Sequence, residues 1–293
     1  MALRVDLHTH SCASDGTDSP GELVRLAAAT GLAAVALTDH DTLGGLDEAT
    51  EAGKHYGVEL IRGCEVASDS PYGEVHIVGL WIPEKAPALE AALREIRDGR
   101  ASRNERMVQK LQEHGIGISM DDVQREAGGE TIARPHIARA LVAGGYVKNV
   151  QTAFATLIGE GCPMYVGREI PTPSRALAML RDEGAVTVLA HPMLIKAPPE
   201  WLDGLVRNLA AEGLNALEAW HSEHDTAATR TVVTLADRHG LALSGGSDYH
   251  GWVKPTIKIG TGKGSLRIPY SVMERLHALR REPAHAFGAS HSG

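Results

Sequence analysis

Aromatic side chains are scarce in this chain, at 4% of its residues, and there are only three cysteines. Cys12, Cys64 and Cys162 fall at irregular spacing, which excludes a disulfide framework and any CxxC pair. No apolar run approaches the roughly 20 residues needed to cross a bilayer, so no membrane partner is expected. The opening residues, MALRVDLHTH, lack a signal-peptide pattern, and with the cysteine usage they point to a reducing cytoplasm. Neither a low-complexity tract nor an internal repeat of fixed period is present. Net positive charge is missing too: a balance of -8 argues against a surface devoted to long nucleic acid or anionic lipid, while leaving room for a local basic cleft. At 293 residues and 43% hydrophobic, the chain can bury a full core as one large domain or as one domain with an insert.

Histidine is what the chain has in surplus, with 15 residues. Two of them, His8 and His10, follow Val5 to Leu7, which reads as a short buried strand; residues two apart on an extended backbone share a side, so both imidazoles can reach one cation. Asp15 follows in the next loop. Ser19-Pro20-Gly21-Glu22 has the capping-box pattern and opens a helix that ends at Gly31. Ala33 to Thr38 is a continuous apolar strand of the kind buried on both faces of a parallel sheet, and it runs into Asp39-His40-Asp41. A helix from Leu46 to Tyr56 precedes the strand Glu59 to Ala67, which carries Glu65, and the strand Glu74 to Leu80, which carries His76. Strands at Ala185 to Ala190, Ala216 to Trp220 and Leu241 to Gly245 run into His191, into His221, and into Asp248 and His250. From Arg97 to Val166 the alternation stops and helical segments follow one another. Between Arg94 and Lys148 ten Lys or Arg stand against eight Asp or Glu, a local +2 in a chain of -8, so the remainder carries -10.

The pattern predicts an α/β fold, a (β/α) barrel spanning 1–97 and 166–293 with an inserted helical subdomain at 98–165. In a closed parallel barrel the carboxyl ends of the strands converge on one face. That would gather His8, His10, Asp15, His40, Glu65, His191, Asp248 and His250, with His76 contributed from inside its strand. Nine nitrogen and oxygen ligands are too many for one ion and suit two or three, with Glu65 bridging. Imidazole and carboxylate without Cys fit Mn, Fe or Zn and disfavour a structural zinc site. Cys64, on a strand beside Glu65, should face the other way and pack; Cys12 lies in the loop near the site.

HTH with a following Asp, TDHD, the strand-end Glu, AHP and SDYH resemble the motifs of the polymerase-and-histidinol-phosphatase (PHP) family of metal-dependent phosphoesterases. The resemblance implies a distorted (β/α)7 barrel with a trinuclear centre. It would assign His8, His10, Glu65 and Asp248 to one ion, Asp15, His40 and His250 to a second, and Glu65, His76 and His191 to a third, with Mn²⁺ expected. The insert's ASRNERM and TIARPHIARAL are similar to stand-alone members that release the 3′ phosphate of 3′,5′-nucleoside bisphosphates, and some relatives of that branch trim short RNA from its 5′ end.

A multinuclear centre activates water and clamps phosphoryl oxygens, so attack is assigned to a metal-bridging hydroxide and not to a side chain. His221 is the candidate to protonate the leaving alkoxide or to bind phosphate. Arg134-Pro135-His136 is expected to open a helix with Pro at its first position, an anion site beside an Arg. With Ser102, Arg103 and Asn104 it would hold a second, non-reacting phosphate of a small nucleotide. The competing functions are a 5′-end exoribonuclease on short oligoribonucleotides, a C–N hydrolase of the amidohydrolase type, and a metal-stabilised accessory module without turnover. No Lys stands at a strand end to be carbamylated, as the amidohydrolase reading would want. Metal-dependent turnover by the isolated chain separates the accessory module from the enzymes.

Overall fold

The computed structural model describes residues 3–127, 132, 134–167 and 170–280. Thr131 and Ala133 of the TIARPHIARAL stretch, and the tail from Arg281 whose fraying the sequence suggests, lie outside them. Two compact units result, Met1–Leu93 with Pro171–Gly293, and Arg94–Ile170.

The first unit is built on eight strands: β1 (Arg4–Asp6), β2 (Ala34–Leu37), β3 (Glu59–Ser68), β4 (Val75–Leu80), β5 (Val186–Leu189), β6 (Ala216–His221), β7 (Ala242–Gly246) and β8 (Ile268–Pro269). They lie in the order β7-β6-β5-β4-β3-β2-β1-β8. β8, which the sequence pattern does not announce, runs antiparallel to β1 along its free edge, while farther along Leu7 N–H donates to Gly245 O at 3.2 Å and brings β7 against β1. The sheet is thereby nearly closed into a barrel. Gly246 is required at this seam, because a Cβ there would collide with the backbone and Cβ of His8.

Besides β8, one further strand departs from the parallel pattern: β4 is antiparallel to both β3 and β5. The sequence places His76 inside a strand, away from a carboxyl end. Reversal explains its position, since the second residue of β4 lies opposite Ala67, near the end of β3.

Alternation along the strands makes two apolar layers. Val5, Leu7, Ala34, Ala36, Val186, Val188 and Ile268 share one buried cluster, whereas Val35 and Leu37 join Leu23, Val24, Leu46 and Ala49 from the helices α1 (Pro20–Ala29) and α2 (Leu46–Tyr56) in another. Each fully buried Leu or Val contributes roughly 1.5–3 kcal/mol, so these layers dominate the stability of the unit. Ser19 caps α1 by accepting from Glu22 N–H, but the Glu22 carboxylate pairs with Arg25 and leaves the other half of the capping box unmade. Further helices are α7 (Pro173–Asp182), α8 (Pro199–Ala211), α9 (Thr226–His239) and α10 (Tyr270–His277).

The helix α3 (Pro87–Glu113) runs unbroken through the boundary that the sequence puts at 97/98. The second unit continues with α4 (Met120–Ala127), α5 (Arg134–Ala143) and α6 (Val150–Ala153) and has no strand among its described residues. Met107, Leu111, Val123, Ile137, Leu141 and Ile158 form its own core.

Candidate metal centre

Glu65 stands at the centre of the gathered residues. Its carboxylate is fully buried, and five imidazoles approach it. His76 Nδ1 and His191 Nε2 lie 3.0 and 3.1 Å from Oε1; His8 Nε2, His10 Nε2 and His40 Nδ1 lie 3.3, 3.3 and 3.1 Å from Oε2. On the Oε1 side the contacts are hydrogen bonds. On the Oε2 side none is: Oε2, His8 Nε2, both ring nitrogens of His10 and His40 Nδ1 are buried without a hydrogen-bond partner. Buried polar atoms left in this condition cost about 1–3 kcal/mol each, and a cluster of them facing one another calls for cations between them.

Asp248 holds the far side. Its Oδ1 lies 3.4 Å from His10 Nε2 and from His250 Nδ1 and 3.8 Å from His8 Nε2, while Oδ2 meets Lys254 Nζ at 2.6 Å and His221 Nε2 at 3.4 Å. Asp15 Oδ1 is 3.3 Å from His250 Nε2, and Oδ2 is 3.9 Å from His40 Nε2. Four sets of donor atoms lie close enough to share an ion: His10, Asp15, His40 and His250; His8, Glu65 and His191; His8, His10 and Asp248; and His40, Glu65 and His76. All nine candidate ligands come together at one rim of the barrel. The partition is looser than the family resemblance implies, because His10 also borders the Asp15 set and His76 and His191 occupy different sets around Glu65. Neither Cys12 nor Cys64 belongs to any of these sets, and Cys64 is fully buried in the packing.

The electrostatics follow from crowding. Burial raises carboxyl pKa values, yet the imidazoles packed around Glu65, those of His40, His8 and His76, hold it well below its ordinary range, and His250 and Lys254 do the same for Asp248. Burial likewise works against a charged His10, but the facing carboxylates of Asp248 and Glu65 lift it to about 9, and His76, beside Glu65, reaches about 10. Around His40 burial wins and its pKa falls. The donor set therefore fits divalent ions.

Several supporting residues were not singled out in the sequence. Glu218, in the apolar strand β6, accepts from His8 Nδ1–H at 3.1 Å and from His191 N–H at 2.7 Å, which turns His8 Nε2 toward Glu65. A carboxylate behind an imidazole fixes its tautomer and orientation. Asp39 accepts from Ser11 N–H, Ser11 Oγ–H and Ser14 Oγ–H and shapes the loop that carries Asp15. Asp6 accepts from Ser247 N–H and Gly260 N–H, tying β1 to the segment before Asp248. A Glu inside ALEAWH was a readable signal for Glu218; the contact of Lys254 was not. His191 and Asp248 have φ values of 29° and 55°, a left-handed backbone that costs roughly 1–3 kcal/mol each and is held here by the bonds to Glu218 and, for Asp248 N–H, to His8 O at 2.9 Å.

His221 is buried, and its Nδ1 accepts from Glu223 N–H at 3.1 Å, so its proton sits on Nε2, toward Asp248. In the second unit Arg103 Nε–H donates to Asn104 Oδ1 at 2.9 Å and the Asn104 amide donates to Ile132 O at 2.8 Å. Arg100, Arg103, Asn104 and His136 are buried, whereas Ser102, Arg106 and Pro135 are exposed. The Arg134 guanidinium lies 5.7 Å from the Tyr165 ring centroid. The helix α5 starts at Arg134, which makes Pro135 its second residue and not its first.

Residues 6–120 match the PHP domain model. The chain is 37% identical over 247 residues to a 3′,5′-nucleoside bisphosphate phosphatase of Chromobacterium violaceum, covering 84% of this chain and 87% of that protein. It is 34% identical over 257 residues to a 5′-3′ exoribonuclease of Haemophilus influenzae, covering 87% and 93%. A solved structure of a candidate metal-dependent phosphoesterase from Bifidobacterium adolescentis superposes with a TM-score of 0.80 at 32% identity, covering 96% of this chain and 98% of that one. Taken with nine metal-type side chains at one barrel rim, these likenesses mean that the chain belongs to the PHP domain family and is a metal-dependent phosphoesterase.

Proposed function

We propose that this chain is a phosphatase that removes the 3′ phosphate from 3′,5′-nucleoside bisphosphates with Mn²⁺ as its metal. The observation that carries the reading is the convergence of five imidazoles on one buried carboxylate, with its facing atoms lacking hydrogen bonds. His8, His10, Asp15, His40, Glu65, His76, His191, Asp248 and His250 would hold two or three ions. Divalent metal bound there supplies an acidified water and positive charge for phosphoryl oxygens.

The chain's own residues do the rest. Glu218 keeps His8 and His191 oriented. His221 presents a proton at Nε2 and can donate it to a leaving alkoxide, the general-acid role. Lys254 adds fixed positive charge beside the same Asp248 oxygen, where it can offset the charge of a phosphate ester. Ser102, Arg103, Asn104, Arg134, Pro135 and His136 are proposed as the substrate contacts of the insert. Support for the nucleotide comes from the 37% identical bisphosphate phosphatase, and the 34% identical exoribonuclease supports a second reading, removal of nucleotides from the 5′ end of short RNA.

A screen with Mn²⁺, Fe²⁺ and Zn²⁺ in parallel tests the proposal, reading phosphate release from mononucleotides and nucleoside 3′,5′-bisphosphates, nucleotide release from short 5′-phosphorylated RNAs, and ammonia release from amides. Highest kcat/KM on the bisphosphate with Mn²⁺ supports it. Preference for RNA selects the second reading, and ammonia release from amide substrates would overturn both.

A further inference from the structure

A cavity of about 320 Å³ lies at the carboxyl end of β6, outside the nine candidate ligands, with Trp220, His221, His224, Arg230, Lys263 and Arg267 in its wall. Sites for small molecules begin at about that volume. One ring joins it to the metal centre: His221 lines the cavity, and its Nε2 is 3.4 Å from Asp248 Oδ2. Ser222, also in the wall, donates its Oγ–H to Ser247 O at 2.5 Å and so anchors the cavity to the residue before Asp248.

Its charge is the reverse of the chain's. Three cations stand against one lining carboxylate, Asp225, and that group already accepts from Ala228 N–H as the cap of α9. Arg230 and Arg267 have no carboxylate partner among the described residues. Lys263 lies 3.5 Å from Glu223 Oε1, but both side chains are more than two-fifths exposed, and such a pair yields readily to a better anion. Arg267 Nη1–H donates to the carbonyls of Gly264 and Leu266, which fixes the direction of its guanidinium. His224 Nδ1–H donates to Ala219 O at 3.1 Å, leaving a buried Nε2 that can only accept and has no hydrogen bond. The complement of such a wall is an anion that also carries a hydroxyl.

We infer that this cavity seats the non-reacting phosphate of the substrate, a phosphate ester joined through its sugar to the phosphate that is hydrolysed. The inference rests on the nucleotide reading above and gives the second phosphate a place on the barrel, with Arg134 of the insert as the rival seat.

The test uses the full Mn²⁺-loaded chain, a Lys263→Ala/Arg267→Ala double variant and, in parallel, Arg134→Ala, each assayed on adenosine 3′,5′-bisphosphate and p-nitrophenyl phosphate. Both replaced residues are exposed, so folding should survive. The double variant should raise KM for the bisphosphate by more than about tenfold with kcat within about threefold, and change kcat/KM for the simple ester by less than about threefold. The dependence of bisphosphate KM on salt should become shallower, because cations that face phosphate have been removed. Wild-type behaviour on both substrates, equal losses on both, or selective loss in Arg134→Ala alone would overturn the inference. If the wild-type chain hydrolyses the simple ester and not the bisphosphate, the nucleotide reading fails by itself. The cavity is then judged by adenosine 5′-monophosphate as an inhibitor of ester hydrolysis: a rise in its inhibition constant of about fivefold or more in the double variant sustains the site, and a smaller one removes it.

Discussion

Glu218→Gln should weaken metal binding without touching a metal ligand. Glu218 is buried, and burial by itself would raise its pKa, but the charge and hydrogen bond of His8, with His221 and His191 nearby, bring it down to about 2. The sign follows directly: a carboxyl whose folded pKa is depressed contributes stability that is present above its ordinary value of 4.5 and is lost as the pH falls toward 2, so at neutral pH Glu218 is a full acceptor. Its two oxygens take His8 Nδ1–H at 3.1 Å and His191 N–H at 2.7 Å. Gln has one acceptor oxygen and an NH₂, so whichever way the amide turns, one of those donors faces another donor. A charge-assisted hydrogen bond is worth about 1.5–3 kcal/mol, which at about 1.4 kcal/mol per tenfold corresponds to a loss of roughly 10- to 150-fold in affinity. That agrees with the roughly 10- to 100-fold cost of removing an outer-shell partner of a metal-binding histidine. Calorimetric titration of the metal-free protein with Mn²⁺ measures the effect, and activity should return as Mn²⁺ is raised. Unchanged affinity and turnover in Glu218→Gln would refute the claim that this bond sets the ligand face of His8. Loss of activity that no Mn²⁺ concentration restores would place Glu218 in the chemistry.

Metal loading should expel protons, because His10 and His76 titrate at about 9 and about 10 in the metal-free chain and an ion needs them neutral. Apparent affinity should rise as the pH goes from about 6.5 toward 10, and titrations in buffers of different ionisation enthalpy should find at least one proton released per chain at pH 7; none would contradict the reading. Elemental analysis after reconstitution should give more than one divalent ion per chain, and a fully active mononuclear protein would reduce the centre to a single site. Asp248→Asn, which tolerates the left-handed backbone as Asp does, should lower kcat at least about 100-fold with a melting temperature within a few degrees of wild type. In the insert, Leu111→Ala removes a fully buried side chain and should cost about 2–5 kcal/mol in urea unfolding; a smaller loss would mean that the core around Leu111 collapses into the gap.

The candidate ligands were legible in the sequence because six strands of this barrel share a direction, and a polar residue that follows a short buried strand then has one destination. His8, His40, His191, Asp248 and His250 follow their strands in this way, whereas Glu65 lies inside the second half of β3. His76 breaks the rule, since strand direction is a property of the partners: the reversal of β4 is set by antiparallel pairing with β3 and β5, and nothing in EVHIVGL encodes it. Glu218 illustrates a different blindness. It sits two residues into β6, where a period-two reading sees a polar intrusion in an apolar strand and cannot say that β1 will bring His8 to it from 210 positions away. The same holds for Lys254, whose contact with Asp248 depends on how the turn after His250 folds back. Charge pattern along the chain points a second phosphate to the insert, because a tally sees +2 between Arg94 and Lys148. It does not see Arg230, Lys263 and Arg267, which are far apart in sequence and meet only when α9 and the segment before β8 flank the end of β6. A one-dimensional sum locates charge by neighbourhood in sequence, and phosphate responds to neighbourhood in space. That difference is what the paired Lys263/Arg267 and Arg134 variants measure: if selectivity for the bisphosphate resides in the scattered cations, the basic character of the insert has another purpose.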